Sequence, residues 1–172
     1  LKHGVDVNTK SDDGKTVLMH AAKSGDIPTI TALLDNKADI QAQDNLGLTA
    51  LMIAARQGHA PAVQLLTKRG AVVNQRDLSK WTALTWAVKK SQLEAAQVLL
   101  AAGANVNNLD SEGTPLLHIA VNNNQLDMVK LLLENNAKVK AKDQYGLTAL
   151  VYALKGQNAE IVTLIKSAGG SY

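Results

Sequence analysis

The sequence contains no cysteine and no phenylalanine, and its only aromatic residues are two tryptophans and three tyrosines. Without cysteine, disulfides and thiolate zinc sites are excluded. Without phenylalanine, any core has to be built from leucine, valine, isoleucine and alanine. No apolar run approaches the length that crosses a bilayer, and a net charge of +3 does not by itself indicate nucleic-acid binding. The hydrophobic fraction of 46% excludes disorder.

The first residue is Leu1 rather than methionine, which indicates a fragment or a processed form. A missing signal peptide therefore does not argue against export. The absence of cysteine slightly favours an exported, periplasmic bacterial protein over a cytoplasmic one. We expect export on this ground alone, with the cytoplasm as the alternative.

The pentapeptide GLTAL occurs twice, at residues 47–51 and 146–150, and the two copies are 99 residues apart. This distance is three times 33, and steps of 33 residues align other positions without a gap. Alanine, for example, recurs at one position in every copy: Ala21, Ala54, Ala87, Ala120 and Ala153. A fixed period of this length predicts a stack of repeated units rather than a globule.

Each copy predicts the same local structure, which the second copy illustrates. Asp44 and Gly47 form a turn, because the carboxylate can bind nearby N–H groups and glycine allows positive φ. Thr49 is placed to cap a short helix that ends at Gly58, and a second helix follows over residues 60–68. Helices this short bury little surface by themselves, so we expect stability to come from stacking on neighbouring copies.

This pattern resembles the ankyrin repeat, whose unit reads roughly D-x-x-G-x-T-P-L-H-x-A-A-x-x-G-H-x-x-x-V-x-x-L-L-x-x-G-A-x-V-N. The resemblance covers nearly the whole chain and implies a single domain over residues 1–172. Its fold would be an all-α solenoid with short β-hairpin loops projecting from stacked helix pairs. Five repeats are expected at 11–43, 44–76, 77–109, 110–142 and 143–172, with residues 1–10 as the remnant of a preceding repeat.

The sequence departs from the family pattern at several places. The family's histidine survives only as His118. In the fourth repeat the Thr-Pro pair lies one position early, at residues 114–115, which we expect to distort the start of the following helix. Lys37 and Asn136 replace a helix-ending glycine, and asparagine tolerates the left-handed conformation better than lysine.

Other side chains receive structural expectations from the same resemblance. Asn8, Asn74 and Asn107 match the family's Val-Asn asparagines, so we expect them to form hydrogen bonds in the hairpins. Trp86 and Tyr152 occupy a helix position that is normally semi-buried, so we expect them to belong to the core.

The sequence offers little for catalysis or metal binding. Four histidines, His3, His20, His59 and His118, fall in different repeats and do not converge as metal ligands would. The adjacent carboxylates at residues 12–13 lie in a turn. There is no phosphate-binding glycine loop and no nucleophile motif. We therefore predict a protein that is not an enzyme, with no catalytic residues, no metal and no cofactor.

The resemblance implies that a partner is met by the hairpin tips and by the concave face of the first helices. The thirty variable positions of this face hold nine basic and three acidic residues, together with exposed apolar groups. Trp81 and Tyr145 are the expected anchors, because aromatic groups edged by cations are typical of interface hot spots. The complete predicted set is Leu46, Leu48, Arg56, Arg76, Leu78, Trp81, Lys89, Lys90, Leu109, Lys142, Tyr145 and Leu147.

These features predict a monomeric protein–protein interaction module whose partner carries an acidic or mixed surface. A narrower hypothesis makes the partner an enzyme and this chain its inhibitor or immunity protein. The alternative is a polyanion, such as RNA or a phosphorylated ligand, with Trp81 stacking on a base. A structural explanation also stays open, in which the lysines are solvated surface and the leucines pack against the next hairpin.

Overall fold

In a computed structural model, residues 4–172 are described, so Leu1, Lys2 and His3 of the predicted remnant lie outside the described residues. The described part contains ten helices of seven to nine residues, arranged as five consecutive pairs. The first helices of the pairs are α1 Val17–Ser24, α3 Ala50–Gln57, α5 Ala83–Lys89, α7 Leu116–Asn122 and α9 Ala149–Lys155. The second helices are α2 Ile27–Asp35, α4 Ala60–Lys68, α6 Leu93–Ala101, α8 Leu126–Glu134 and α10 Ala159–Ser167.

The helices form two layers. Each first helix contacts the first helix of the next pair, from α1 through α3, α5 and α7 to α9. The second helices contact one another in the same order, and the two members of each pair also touch. The fold is therefore the all-α solenoid that the repeat predicts. Between residues 4 and 172, no helix is long and apolar enough to cross a membrane.

Two columns of small and medium side chains run through the stack and form its core. The repeated alanine has an exposed fraction of at most 6% in the five repeats. The leucine three residues before it is equally buried, at 2% or less, in Leu18, Leu51, Leu84, Leu117 and Leu150. Alanine lets neighbouring first helices approach closely, and leucine fills the space beside it. The core is thus continuous across repeat boundaries.

Threonine side chains begin three of the first helices. The hydroxyl groups of Thr16, Thr49 and Thr82 each accept a hydrogen bond, at 3.3 Å, from the backbone N–H three residues later. This contact satisfies a donor that the first turn would otherwise leave free. The same repeat position therefore starts each helix.

Pro115 does not distort the fourth helix pair, and that expectation was wrong. Helix α7 begins at Leu116, in register with the other first helices. The reason is that Pro115 adopts φ −70° and ψ 148°, within the extended region that Thr49 also occupies. Proline lacks the hydroxyl and the backbone N–H of threonine, so the capping hydrogen bond is absent, but its backbone angles leave the helix start in place.

Lys37 and Asn136 adopt φ values of 65° and 67°, the left-handed conformation expected where they replace glycine. Four further non-glycine residues share it: Lys80, Ser91, Asn124 and Gln157. In the left-handed conformation the Cβ atom of each of these residues crowds the backbone, an energetic cost that glycine avoids. The stack tolerates these positions because the surrounding repeat geometry fixes the turn.

The Val-Asn asparagines bind across repeat boundaries, as their hairpin role required. Asn74 Oδ1 accepts from the backbone N–H of Asn105 at 2.7 Å, and its Nδ2 donates to the carbonyl of Gly103 at 3.2 Å. Asn107 makes the same pair of contacts with Lys138 and Asn136. We call this two-bond contact the asparagine clamp.

The clamps are unevenly distributed along the stack. Asn8 forms a third one, to Asp39 and Lys37. Gln41 and Lys140 occupy the equivalent position at the other two repeat boundaries, and neither forms the contact in the part of the chain that the structure describes. Backbone hydrogen bonds also join neighbouring hairpins, from Asn45 to Asp13, Leu78 to Leu46 and Ser111 to Ser79. The fourth and fifth repeats are joined by neither of these devices.

Replacing Asn107 by alanine is expected to lower the free energy of unfolding by about 1 kcal/mol, because two inter-repeat hydrogen bonds are lost. Urea denaturation followed by circular dichroism measures the change. Lys140→Ala is the matched control, since it alters the same repeat position where no clamp exists, and it should change stability by less than about 0.5 kcal/mol. Equal effects of the two substitutions would show that the clamp does not stabilise the stack.

Candidate interaction surface

The hairpin tips carry most of the predicted contact residues. We define a tip as the last residue of one repeat and the first five of the next: residues 10–15, 43–48, 76–81, 109–114 and 142–147. In the third repeat, Asp77 Oδ1 accepts from the backbone N–H groups of Ser79 and Trp81, both at 2.9 Å. The carboxylate thus folds the tip and fixes where Trp81 leaves the backbone.

The same carboxylate also reaches the first helix. Asp77 Oδ2 accepts a hydrogen bond from Trp86 Nε1 at 2.9 Å. The fifth repeat has the same arrangement, with Asp143 accepting from the Tyr152 hydroxyl. One aspartate therefore holds a tip and an aromatic side chain of the following helix in fixed relation. Trp86 and Tyr152 are half-buried rather than fully enclosed, because their polar ends are drawn to these carboxylates.

Electrostatics at the fifth tip follow from these contacts. Burial alone would raise the pKa of the Asp143 carboxyl, but hydrogen bonds from Tyr152, Leu147 and Tyr145 outweigh it, so the pKa is lowered. The same contact with the carboxylate raises the pKa of the Tyr152 hydroxyl. Both groups therefore keep their neutral-pH forms: an ionised carboxylate and a protonated phenol.

Two tryptophans and two cations form a compact group that we call the tryptophan cluster: Arg56, Trp81, Trp86 and Lys89. The two indole rings meet edge to face, with centroids 4.6 Å apart and an interplanar angle of 67°. Arg56 Cζ lies 5.2 Å from the Trp86 ring centroid, and Lys89 Nζ lies 4.9 Å from that of Trp81. Each cation is thus attracted to an aromatic ring. Arg56 belongs to the second repeat, and the other three residues of the cluster belong to the third.

A cavity of about 580 Å³ opens beside the tryptophan cluster. Its lining consists of Arg56, Gln57, Trp86, Lys90 and Gln92. Two of these five residues are cations and none is acidic. The cavity can therefore accept a group that combines negative charge with hydrogen-bond acceptors.

The cations of this region have no carboxylate partner in the described chain. Ion pairs among residues 4–172 join Lys15 to Asp13 and Arg69 to Asp35, and neither includes Arg56, Lys89 or Lys90. Lys142 is exposed at the fifth tip.

Arg76 is also exposed, and its Nε donates to Asn108 Oδ1 at 2.9 Å. This bond ties the third tip to the residue that precedes the fourth tip. A partner would meet a guanidinium group that is already held in place.

Apolar side chains project from four tips. Leu46, Leu78, Leu109 and Tyr145 are exposed, with Leu78 and Tyr145 each above 70%. The tips of Leu46 and Leu78 are adjacent, since the N–H of Leu78 donates to the carbonyl of Leu46 at 3.1 Å. Exposed groups of this size in neighbouring loops are typical of an interaction surface.

Leu48 and Leu147 differ from the other predicted contact residues. Leu48 is only 3% exposed, because it turns from the tip into the core, and we leave it out of the candidate surface. Leu147 is half-buried. Both occupy the fifth position of a repeat, where Trp81 is also half-buried.

Trp86 and Tyr152 are half-buried and pack against the core, as expected, but their contacts with the aspartates were not predicted from the sequence. A signal was available, because aspartate at the first position and an aromatic donor at the tenth occur together only in the third and fifth repeats. The four-part tryptophan cluster was not visible, since it depends on the orientation of side chains from two repeats.

No group of three or more potential metal-ligating side chains occurs in the described portion of the chain. His118 is enclosed, and its Nε2 lies 2.9 Å from the carbonyl of Leu147, a contact that requires Nε2 to be the donor. Its buried Nδ1 has no partner. The reason is local: the threonine hydroxyl of the other repeats is replaced by Pro115. The His118 side chain therefore has a structural role, because its hydrogen bond links repeats four and five.

The sequence matches a family model described as ankyrin repeats (3 copies), in four overlapping segments at residues 1–77, 29–110, 72–143 and 100–171. The matched segments together span nearly the whole chain. No curated protein matches the sequence.

Replacing Tyr152 by phenylalanine is expected to lower the free energy of unfolding by about 1 kcal/mol at pH 7, because Asp143 loses a hydroxyl donor. Since the pKa of Asp143 is below its ordinary value of 3.8 in the folded state, this contribution is present above that value and is lost as the pH falls through the folded pKa. Thermal or urea unfolding over a series of pH values from 7 to 2 measures how this contribution changes. Tyr145→Phe is the control, because the Tyr145 hydroxyl lies on an exposed tip. A stability loss that does not decrease anywhere in the acid part of the series would contradict the assignment.

Proposed function

The chain belongs to the ankyrin repeat family, and from this premise we propose that it is a non-catalytic, monomeric module that binds an acidic region of a protein partner. Ankyrin repeats are protein–protein interaction modules. We place the contact at the tryptophan cluster and the tips beside it, and we expect the partner surface that binds there to be negatively charged. The supporting observation is that Arg56, Lys89 and Lys90 lie beside two indole rings and that none of these cations forms an ion pair with a carboxylate among residues 4–172.

Desolvation, conformational entropy and charge each favour partner binding at the tryptophan cluster. Tryptophan and arginine supply most hot spots, because a large flat surface and several donors are desolvated together. The Trp81 ring is half-buried and packs edge to face on Trp86, and Asp77 binds the Trp81 backbone N–H, so little conformational entropy is lost when a partner covers the ring. The exposed lysines attract an acidic surface over a distance of about one Debye length, roughly 8 Å at physiological salt. Association should therefore be fast and sensitive to salt.

Trp81→Ala is expected to weaken partner binding by about 2 kcal/mol, roughly a thirtyfold rise in Kd. The double substitution Lys89→Glu and Lys90→Glu is expected to abolish binding, because attraction becomes repulsion. A partner recovered by affinity capture from the source organism is titrated with each variant by isothermal calorimetry at two salt concentrations.

The matched control for charge is Lys68→Glu with Lys166→Glu, which reverses the same number of charges on helices α4 and α10 of the second layer. Circular dichroism verifies that each variant keeps its helices. Unchanged affinity in both the Trp81 and the Lys89–Lys90 variants would exclude this surface as the binding site.

We propose further that the partner is an enzyme and that the chain inhibits it. The support is the shape of the tips: apolar side chains at Leu46, Leu78 and Tyr145 stand free of the body on hairpins held by aspartate contacts. A rigid, preformed projection can fill a cleft without a large loss of entropy.

The inhibitor hypothesis predicts that Leu78→Ser combined with Tyr145→Ser relieves inhibition. A steady-state assay of the captured enzyme gives the inhibition constant, which should rise at least about tenfold, since two exposed apolar anchors are lost. Val72→Ser, an exposed apolar group outside the tips, is the control. If saturating wild-type protein leaves the activity of the captured enzyme unchanged, the chain binds it without inhibiting it.

A polyanion such as RNA is the alternative ligand. The nine basic residues of the predicted face favour it. The tryptophan cluster favours it less, because the two rings meet edge to face and Lys89 lies over Trp81, where a base would stack. Filter binding of single-stranded RNA over a salt series separates the two ligands, since polyanion binding weakens steeply as salt rises.

A further inference from the structure

A second cavity repeats the construction of the first, two repeats further along the stack. It measures about 440 Å³ and is lined by residues that include Asn122, Asn124, Tyr152, Lys155 and Asn158. Lys155 Nζ lies 5.8 Å from the Tyr152 ring centroid. We call the cavity beside Trp86 the first slot and the cavity beside Tyr152 the second slot.

The two slots share one design. In each, the aromatic side chain stands at the tenth position of its repeat and gives its polar hydrogen to the aspartate at the first position. In each, a cation lies over the ring: Arg56, from the preceding repeat, in the first slot, and Lys155, from the same repeat, in the second. Neither slot has an acidic residue in its lining.

The repeats on either side lack this design. Ile53 and Ile119 occupy the tenth position in the second and fourth repeats, and both are buried, with exposed fractions of 3% and 8%. An isoleucine has no polar end to bind the aspartate and no ring to receive a cation. The aromatic slots therefore alternate with apolar positions and are two repeats apart.

We infer that the two slots bind two acidic side chains of a single extended segment of the partner protein. This inference rests on the proposed function and specifies the form of the ligand. The Arg56 guanidinium, whose Cζ lies 5.2 Å from the Trp86 ring centroid, carries N–H donors in a planar fork that suits a carboxylate. The Lys155 ammonium, together with the amides of Asn122 and Asn158, offers donors in the second slot.

The repeat geometry fixes the spacing of the two acidic residues. Packed helices lie about 8–10 Å apart, so two repeat steps separate the slots by roughly 16–20 Å. An extended chain rises about 3.3 Å per residue. The two acidic groups should therefore be about five or six residues apart in the partner segment. A segment in helical conformation, at about 1.5 Å per residue, would need roughly twice as many.

Three synthetic peptides test the spacing. Each carries an Asp-Glu pair at both ends, joined by one, four or ten Gly/Ser residues, and each is titrated at low salt into ¹⁵N-labelled full-length protein. The Trp86 Nε1–H signal reports on the first slot, and the side-chain amide of Asn158 reports on the second. We expect the four-residue linker to shift both signals and to bind about tenfold more tightly than the one-residue linker, which is too short to span the slots.

Two substitutions and a control complete the test. Arg56→Gln and Lys155→Gln should each remove the advantage of the four-residue linker, leaving the affinity of a one-slot peptide. Lys140→Gln removes an exposed charge that lines neither slot and should leave the advantage intact.

Equal affinities for the three peptides, or shifts confined to one slot, would overturn the inference. So would a ten-nucleotide oligothymidylate that binds more tightly than any peptide and is indifferent to both substitutions. If partner binding still depends on Trp81, these outcomes exclude the two-slot inference but not the proposed function. If Trp81→Ala leaves partner binding unchanged, the proposed function itself is excluded.

Discussion

The structure depends on one constraint: a pair of helices only seven to nine residues long cannot enclose its own apolar face. Each pair is completed by its neighbours, and the alanine column shows how closely they approach, with exposed fractions of at most 6%. Because the core crosses every repeat boundary, the position of each repeat is set by the next. Side chains that are 33 or 66 residues apart in the sequence therefore keep fixed relations on the surface, which is the condition for a shared binding face.

The proposed binding face is built from the same contacts that form the turns. Asp77 organises the tip through two backbone hydrogen bonds and still has an oxygen for Trp86. The tip and the first helix then move as one unit, so Trp81 and Trp86 meet in a defined geometry. Asp143 gives the fifth repeat the same property through Tyr152. Ordered aromatic groups and unpaired cations follow from turn chemistry, without any separate scaffold for the site.

The period, the helix pairs and the capping threonines could be predicted because they depend on local chemistry that recurs every 33 residues. The second helix of the second repeat was expected over residues 60–68 and has those bounds. The sequence was less informative about the direction in which a side chain points in the folded chain. Leu48 and Trp81 share a repeat position, yet Leu48 is buried while Trp81 is half-buried, as is Leu147 in the fifth repeat, so the residue type alone does not decide exposure. Pro115 misled for another reason: its backbone angles suit the position even though its missing hydroxyl does not.

The boundary between the fourth and fifth repeats lacks both the asparagine clamp and a backbone bond between tips, although the second slot lies across it. That boundary is held instead by helix packing and by two side-chain hydrogen bonds, from His118 Nε2 to the carbonyl of Leu147 and from Asn158 Nδ2 to Asn124 Oδ1. A ligand in the proposed second slot would contact both repeats, so occupancy of the slot and amide-hydrogen protection of helices α9 and α10 would be thermodynamically linked. Binding there would restrain the packing of the fifth repeat on the fourth.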